Sequence, residues 1–151
     1  MNVAVIGLGL IGGSMALDLR HAGLATSLTG VDENAANGEQ AVALGLVDRV
    51  LPADVALREA DLVIVAIPVN ALAKTLPAVL DLVKPEAVVL DAGSTKSSIC
   101  RAVANHPKRA QFVAAHPIAG TENSGPTAAF RGLFNARPIS FASKSVLRSM
   151  P

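Results

Sequence analysis

The stretch VIGLGLIGGS, residues 5–14, leaves few folds open to the chain. An apolar, β-branched run leads into Gly7, Gly9 and Gly12 in the spacing G-x-G-x-x-G, and an amphipathic stretch follows. Between a strand and a helix each glycine has its own reason. Gly7 permits a tight turn, the bare backbone of Gly9 lets a diphosphate approach, and Gly12 lets helix and strand pack closely. The N–H groups that open the helix, at Leu10, Ile11 and Gly12, lack intrahelical partners and would face that phosphate. Further along, the run LTGVDEN ends a second apolar segment at Asp32, 20 residues beyond Gly12. A carboxylate there accepts hydrogen bonds from the ribose hydroxyls of an adenosine and repels a 2′-phosphate. No arginine follows Asp32 closely, so NAD is expected rather than NADP. The competing explanation is a glycine-rich turn beside an ordinary acidic loop.

The rest of the chain repeats the same alternation, short β-branched runs followed by longer alanine-rich amphipathic segments. This is the pattern of a parallel sheet covered by helices on both faces. Strands are predicted near 2–6, 27–31, 62–67, 87–90 and 112–115, with a weaker one at 138–142. Helices are predicted near 12–22, 35–44, 69–82 and 96–104, the third carrying Pro77, which should kink or split it. Right-handed crossovers then wind the order into an α/β, Rossmann-type doubly wound sheet with its ligand crevice at the carboxyl ends of the strands.

Composition excludes other classes. A chain of 151 residues, 51% hydrophobic, fits about one globular domain. A net charge of +1 with scattered lysines and arginines offers no footprint for nucleic acid or an acidic membrane. No apolar run reaches the roughly 18 residues of a membrane span, and the first seventeen residues lack the basic leader of a secretory signal. A cytoplasmic location and a small-molecule partner are expected. The single cysteine, Cys100, has no metal-like spacing of Cys or His around it, so it reads as packing and no metal is expected.

Two further strand ends deliver special residues to the crevice. ADLVIVAIP brings Ile67 and Pro68 to the cofactor side, and AVVLDAGSTK runs into Asp91, Gly93 and Ser94. Gly93 reads as a positive-φ turn, Ser94 or Asp91 as a helix cap, with ligand contact by Ser94 an equal alternative, and Lys96 as surface charge. Of the three histidines, His21 lies late in the first helix and His106 at a helix end, where the dipole suits a partly cationic ring. His116 differs, standing at the carboxyl end of the fifth strand, where the nicotinamide must lie if the adenosine occupies the first two units. An imidazole there serves as general base toward an alcohol losing hydride, or is a strand-end histidine satisfied by backbone.

With these residues in view, the sequence resembles the prephenate and arogenate dehydrogenases of tyrosine biosynthesis. The matching motifs are GLGLIGGS, GVD, ADLVIVAIPV, DAGSTK and HPIAGTENSG followed by GLF, spanning most of residues 1–135. HPIAGTE is the most specific, because generic dinucleotide-binding proteins do not carry it. The resemblance implies NAD-dependent oxidative decarboxylation, with His116 holding and deprotonating the ring hydroxyl. It implies that Ser94 orients the histidine or that hydroxyl, and that Thr121 and Glu122 line the substrate side.

The chain also departs from that pattern. Family members continue from GLF through a glycine into another strand and then a helical, dimerising domain that supplies cations for the substrate carboxylates. Here NARPISFASKSVLRSMP has alanine at the glycine position and loses its strand pattern after Ala142. The expected organisation is a dinucleotide-binding domain over 1–137 and an atypical, truncated tail over 138–151, without the helical domain. Arg131, Arg137 and Arg148 read as solvated surface. Only 17% of residues are charged, and the helices that would meet a second domain should keep apolar faces, so self-association into a homo-oligomer is expected. Three functions fit: an enzyme of this family, a dehydrogenase of another small hydroxy or imino acid, and a module that holds NAD without chemistry.

Overall fold

The computed structural model describes residues 1–141. The strands are β1 (Asn2–Ile6), β2 (Ser27–Val31), β3 (Arg49–Val50), β4 (Leu62–Val65), β5 (Val88–Asp91), β6 (Phe112–Pro117) and β7 (Ile139–Phe141). The helices are α1 (Leu10–His21), α2 (Ala35–Ala43), α3 (Ala53–Glu59), α4 (Val69–Leu82) and α5 (Ser97–Ala102). They form one seven-stranded sheet in the order β3-β2-β1-β4-β5-β6-β7. All pairs are parallel except β6 with β7, which is antiparallel. The order reverses between β1 and β4, the topological switch point of a doubly wound sheet.

Each sheet face carries its own core, because inner strands of a parallel sheet must bury both sides. On one face Val63, Val65, Val89 and Phe112 meet α4 and α5. Leu72, Leu76, Val79 and Leu80 supply the α4 contribution at i, i+4, i+7 and i+8 spacing. On the other face Val3, Val5 and Ile64 meet Met15 and Ala16 of α1 and Ala41 of α2. Cys100 is buried in the first core, and that burial pushes its thiol above the ordinary range. It packs, as expected.

The predicted helix at 69–82 is present over the same residues, yet Pro77 does not split it, and α4 is one unbroken element. A proline inside a helix removes one hydrogen bond, and the four buried aliphatic residues of α4 hold the helix against that loss. Sequence reading missed β3 and α3 altogether. The weak strand expected at 138–142 is present at Ile139–Phe141, with Ala142 and Arg148 outside the described residues. No helix among the described residues is long and apolar enough to cross a membrane.

Ala136, at the position where the family resemblance calls for glycine, adopts φ 55, and it is the only non-glycine residue with positive φ among those described. A Cβ in the left-handed region costs about 1 kcal/mol. Ala136→Gly is therefore expected to raise stability by about 1 kcal/mol, read as a higher urea midpoint at unchanged slope. A lower midpoint would contradict the strain assigned to this residue.

Candidate functional site

The parallel strands end level with one another. Val31, Ile6, Val65, Asp91 and Ala114 are successive Cα partners across β2, β1, β4, β5 and β6. The turns that follow therefore open on one edge of the sheet, and those after β1 and β4 diverge at the switch point. A cavity of about 580 Å³ opens there. Gly7, Gly9, Asp32, Ile67 and Pro68, all singled out in the sequence, line this one cavity. Its remaining wall is largely apolar and comes from α3 and α4, including Leu57, Val79 and Leu82.

The three motif glycines are needed for three different reasons. Gly7 has φ +90, and a Cβ on it would stand 2.4 Å from the Ala66 carbonyl oxygen, so turn and neighbouring strand exclude any side chain. A Cβ on Gly12 would lie 2.0 Å from the Gly7 carbonyl oxygen, which is the close approach of α1 to the turn. Gly9 is different: the nearest atom to its Cβ position is the Gly125 nitrogen at 3.9 Å. The fold does not require a glycine at 9, whose open side faces the cavity. The N–H groups of Leu10, Ile11 and Gly12 open α1, whose first intrahelical bond is Gly13 N–H to the Gly9 carbonyl at 2.9 Å. Together with the bare backbone of Gly9 these free donors form a cradle of the kind a diphosphate requires.

Asp32 is clamped before any ligand arrives. Its Oδ2 accepts from the Leu8 N–H and its Oδ1 from the Asn34 N–H, each at 2.9 Å, with the Asn37 amide 3.5 Å from Oδ1. Oδ2 keeps a further lone pair for a hydroxyl while the two backbone bonds fix the group's orientation, and a second hydroxyl at Oδ1 would take the place of the long Asn37 contact.

The turn after β5 revises several expectations. Asp91 is fully buried and accepts from the Gly93 N–H at 2.9 Å and, through its other oxygen, from the Ala115 N–H at 3.1 Å. Lys96 completes the set as an ion pair with the same carboxylate, its side chain only 16% exposed. Lys96 is thus not surface charge. Gly93 has no positive φ; a Cβ would meet Ile99 and Leu72 at 2.8 Å, so space and not conformation demands glycine. Neither Ser94 nor Asp91 caps α5, whose N-cap is Lys96 without a side-chain bond. Ser94 is exposed on the turn and makes no hydrogen bond to a described residue.

His116 lies in β6, two positions beyond Ala114, opposite Ser140 of β7, and is partly buried, its side chain making no hydrogen bond to a described residue. At the rise of a strand it stands about 7 Å past the level at which the parallel strands end. Alternation along β6 assigns it to the face of Phe112 and Ala114, which is also the face of α4 and α5. Thr121 and Glu122 are exposed on the following loop, where the Thr121 hydroxyl accepts from the Asn123 N–H at 3.1 Å. Ser94, His116, Thr121 and Glu122 do not line this cavity, and neither do Leu10, Ile11 and Gly12 of the cofactor-side set. The other histidines have local duties. His21 lies 3.2 Å from Arg131, and His106 is not on a helix dipole, its Nε2 being 3.2 Å from Asp81 while its Nδ1 accepts from the Lys108 N–H.

Gly125 lines the cavity and was not foreseen. The S-G-P run at 124–126 signals a turn, but nothing local says that the turn lands beside Gly9.

The family profile for the nucleotide-binding domain of prephenate dehydrogenase matches residues 15–143. The match begins after the glycine turn, so it rests on other residues than the phosphate cradle does. Cyclohexadienyl dehydrogenase of Zymomonas mobilis is 36% identical over 140 residues, covering 91% of this chain and 47% of that protein. The crystal structure of prephenate dehydrogenase from A. aeolicus, in complex with hydroxyphenyl propionate and NAD+, superimposes with a TM-score of 0.81 at 28% identity, over 98% of this chain and 54% of that one. Synechocystis arogenate dehydrogenase gives 0.83 at 31% identity, over 99% and 55%. The chain spans about half the length of these relatives.

Proposed function

Because the chain belongs to the prephenate dehydrogenase family through its nucleotide-binding domain, we propose that it binds NAD in the switch-point cavity and forms the cofactor half of an enzyme that oxidatively decarboxylates prephenate or arogenate. One observation carries the reading. Gly7, Gly9, Asp32, Ile67 and Pro68 come from three separate strand ends and wall one cavity, with the free N–H groups that open α1 beside a fixed carboxylate. Asp32 and the apolar wall of α3 and α4 would hold the adenosine, the glycine turn the diphosphate, and Pro68 with the ends of β5 and β6 the nicotinamide. Asp32 favours NAD, since a 2′-phosphate would meet an anchored carboxylate. Residues 1–137 constitute this binding unit.

Bound NAD supplies a hydride acceptor. The chain's own residues handle the proton and the substrate. His116 accepts the proton of the ring hydroxyl as hydride leaves the same carbon; the bond to the ring carboxylate then breaks, and its electron pair completes the aromatic ring as carbon dioxide departs. Ser94, at the end of the neighbouring strand, orients the hydroxyl or the imidazole. Thr121 and Glu122 border the substrate.

Calorimetric titration with NAD and NADP is expected to show NAD binding more tightly, and reduced nicotinamide should form on adding prephenate or arogenate. In a chain with turnover, His116→Asn is expected to lower kcat at least about a hundredfold, the scale of a lost general base, with NAD affinity unchanged. Failure of both dinucleotides to bind, or full turnover by His116→Asn, would sink this reading. NAD binding without turnover would instead favour a cofactor-holding module, a second reading supported by the exposure of Ser94, Thr121 and Glu122 and by the half-length coverage of the relatives.

A further inference from the structure

The segment that follows His116 doubles back onto the first helix. Ser14, fully buried in α1, accepts a hydrogen bond from the Phe130 N–H at 3.1 Å. One turn along α1, Asp18 Oδ1 accepts from the Gly132 N–H at 2.7 Å. Between them lies a close packing contact, for a Cβ on Gly13 would stand 2.7 Å from the Ala129 Cβ. These three contacts, at residues 129–132, anchor the segment that begins at Gly125 to the same helix whose first turn forms the phosphate cradle. The seated segment carries Gly125 into the cavity wall, with its nitrogen 3.9 Å from the Gly9 Cβ position. Gly125 has φ +80, and its N–H donates to no described residue.

Gly125 is half-buried, and its unpaired donor stands in the cavity wall beside the one motif glycine that the fold itself does not require, where a ligand in the cavity could take its hydrogen bond. We infer that Gly125 is a cofactor contact whose N–H donates to the diphosphate from the side opposite the α1 turn, and that Ser14 and Asp18 are positioning residues that hold it there. This rests on the reading that the cavity holds NAD. The contact also gives the loop bearing Thr121 and Glu122, four and three residues before Gly125, a direct link to the occupied cofactor site.

Amide hydrogen exchange on the full chain, with NAD and separately with adenosine, tests the inference. NAD is expected to slow exchange at Gly125 and at residues 7–13, whereas adenosine, which has no phosphate, leaves Gly125 unchanged. Ser14→Ala and Asp18→Ala, each checked by its melting transition, are expected to weaken NAD binding ten- to about a hundredfold, the equivalent of one charge-assisted hydrogen bond, and to leave adenosine affinity unchanged. Two variants are used because Ser14 is buried and its replacement alone could perturb the fold. Protection of residues 7–13 by NAD without protection of Gly125 would overturn the inference and leave the cofactor reading standing. Absence of protection at both would overturn the two together. Equal weakening of NAD and adenosine in both variants would reduce Ser14 and Asp18 to general structural roles and also overturn it.

Discussion

Asp91→Ala is expected to cost the chain about 3–5 kcal/mol of folding stability, the scale for breaking a buried ion pair from one side. The carboxylate is wholly inaccessible, and three donors converge on it: the Gly93 and Ala115 N–H groups and the Lys96 ammonium. Its removal strands two backbone donors and leaves a cation 16% exposed without its partner. Lys96→Met should cost less than Asp91→Ala, because the carboxylate keeps both backbone donors. The double variant Asp91→Asn with Lys96→Met should recover part of the loss, since no uncompensated charge then remains. Urea denaturation of Asp91→Asn, Lys96→Met and their double variant closes the cycle, with Asp91→Ala measured beside it. A cost below about 1 kcal/mol for Asp91→Ala would place this group among surface pairs of little consequence. The same knot matters to the chemistry, because Asp91 ties the turn bearing Ser94 to β6 immediately before His116.

Gly12→Ala and Gly9→Ala are expected to fail in opposite ways. A methyl group at 12 would press to 2.0 Å from the Gly7 carbonyl oxygen, which belongs to backbone and is fixed by the Gly7 N–H bond to Val31. α1 must move away from the sheet, at a cost of about 3 kcal/mol or more. At 9 the methyl group meets nothing closer than 3.9 Å, so the melting transition should stay within the ordinary scatter of surface changes, about 0.5 kcal/mol. That methyl group would, however, occupy the space into which a diphosphate must come. Gly9→Ala should fold normally and lose NAD affinity by at least tenfold, measured by calorimetry beside its thermal melt. Retention of wild-type affinity by Gly9→Ala, or a wild-type melt for Gly12→Ala, would refute the division of labour assigned to these glycines.

What could be read in advance is what local chemistry dictates. The runs NVAVI, SLTGV and LVIV announce buried strands because β-branched residues without polar alternation suit a sheet covered on both faces. The glycine motif and Asp32 were legible because each answers to a turn and a charge in its own neighbourhood. β3, with two residues, and α3, with seven, are too short for periodicity to register, and α3 forms part of the apolar cavity wall. Lys96 looked like surface because five residues of sequence do not reveal that Asp91 turns inward beneath it. Gly93 was read as a conformational glycine, whereas its neighbours Leu72 and Ile99 arrive from two other helices. Gly125 is the extreme case, meeting Gly9 only through tertiary structure. Local signals thus found the turn that receives the cofactor, while the parts that tune it came from contacts between distant segments.

The bonds from Ser14 to Phe130 and from Asp18 to Gly132 span 116 and 114 positions of the chain. A polypeptide is made from its amino end, so α1 exists long before the stretch that covers its outer side. The parallel β1–β4 pairing likewise waits for later residues, and such non-local closure makes folding slow. During synthesis the half-finished first unit displays apolar surface with nothing yet to cover it, and this is the stage at which aggregation threatens the chain most.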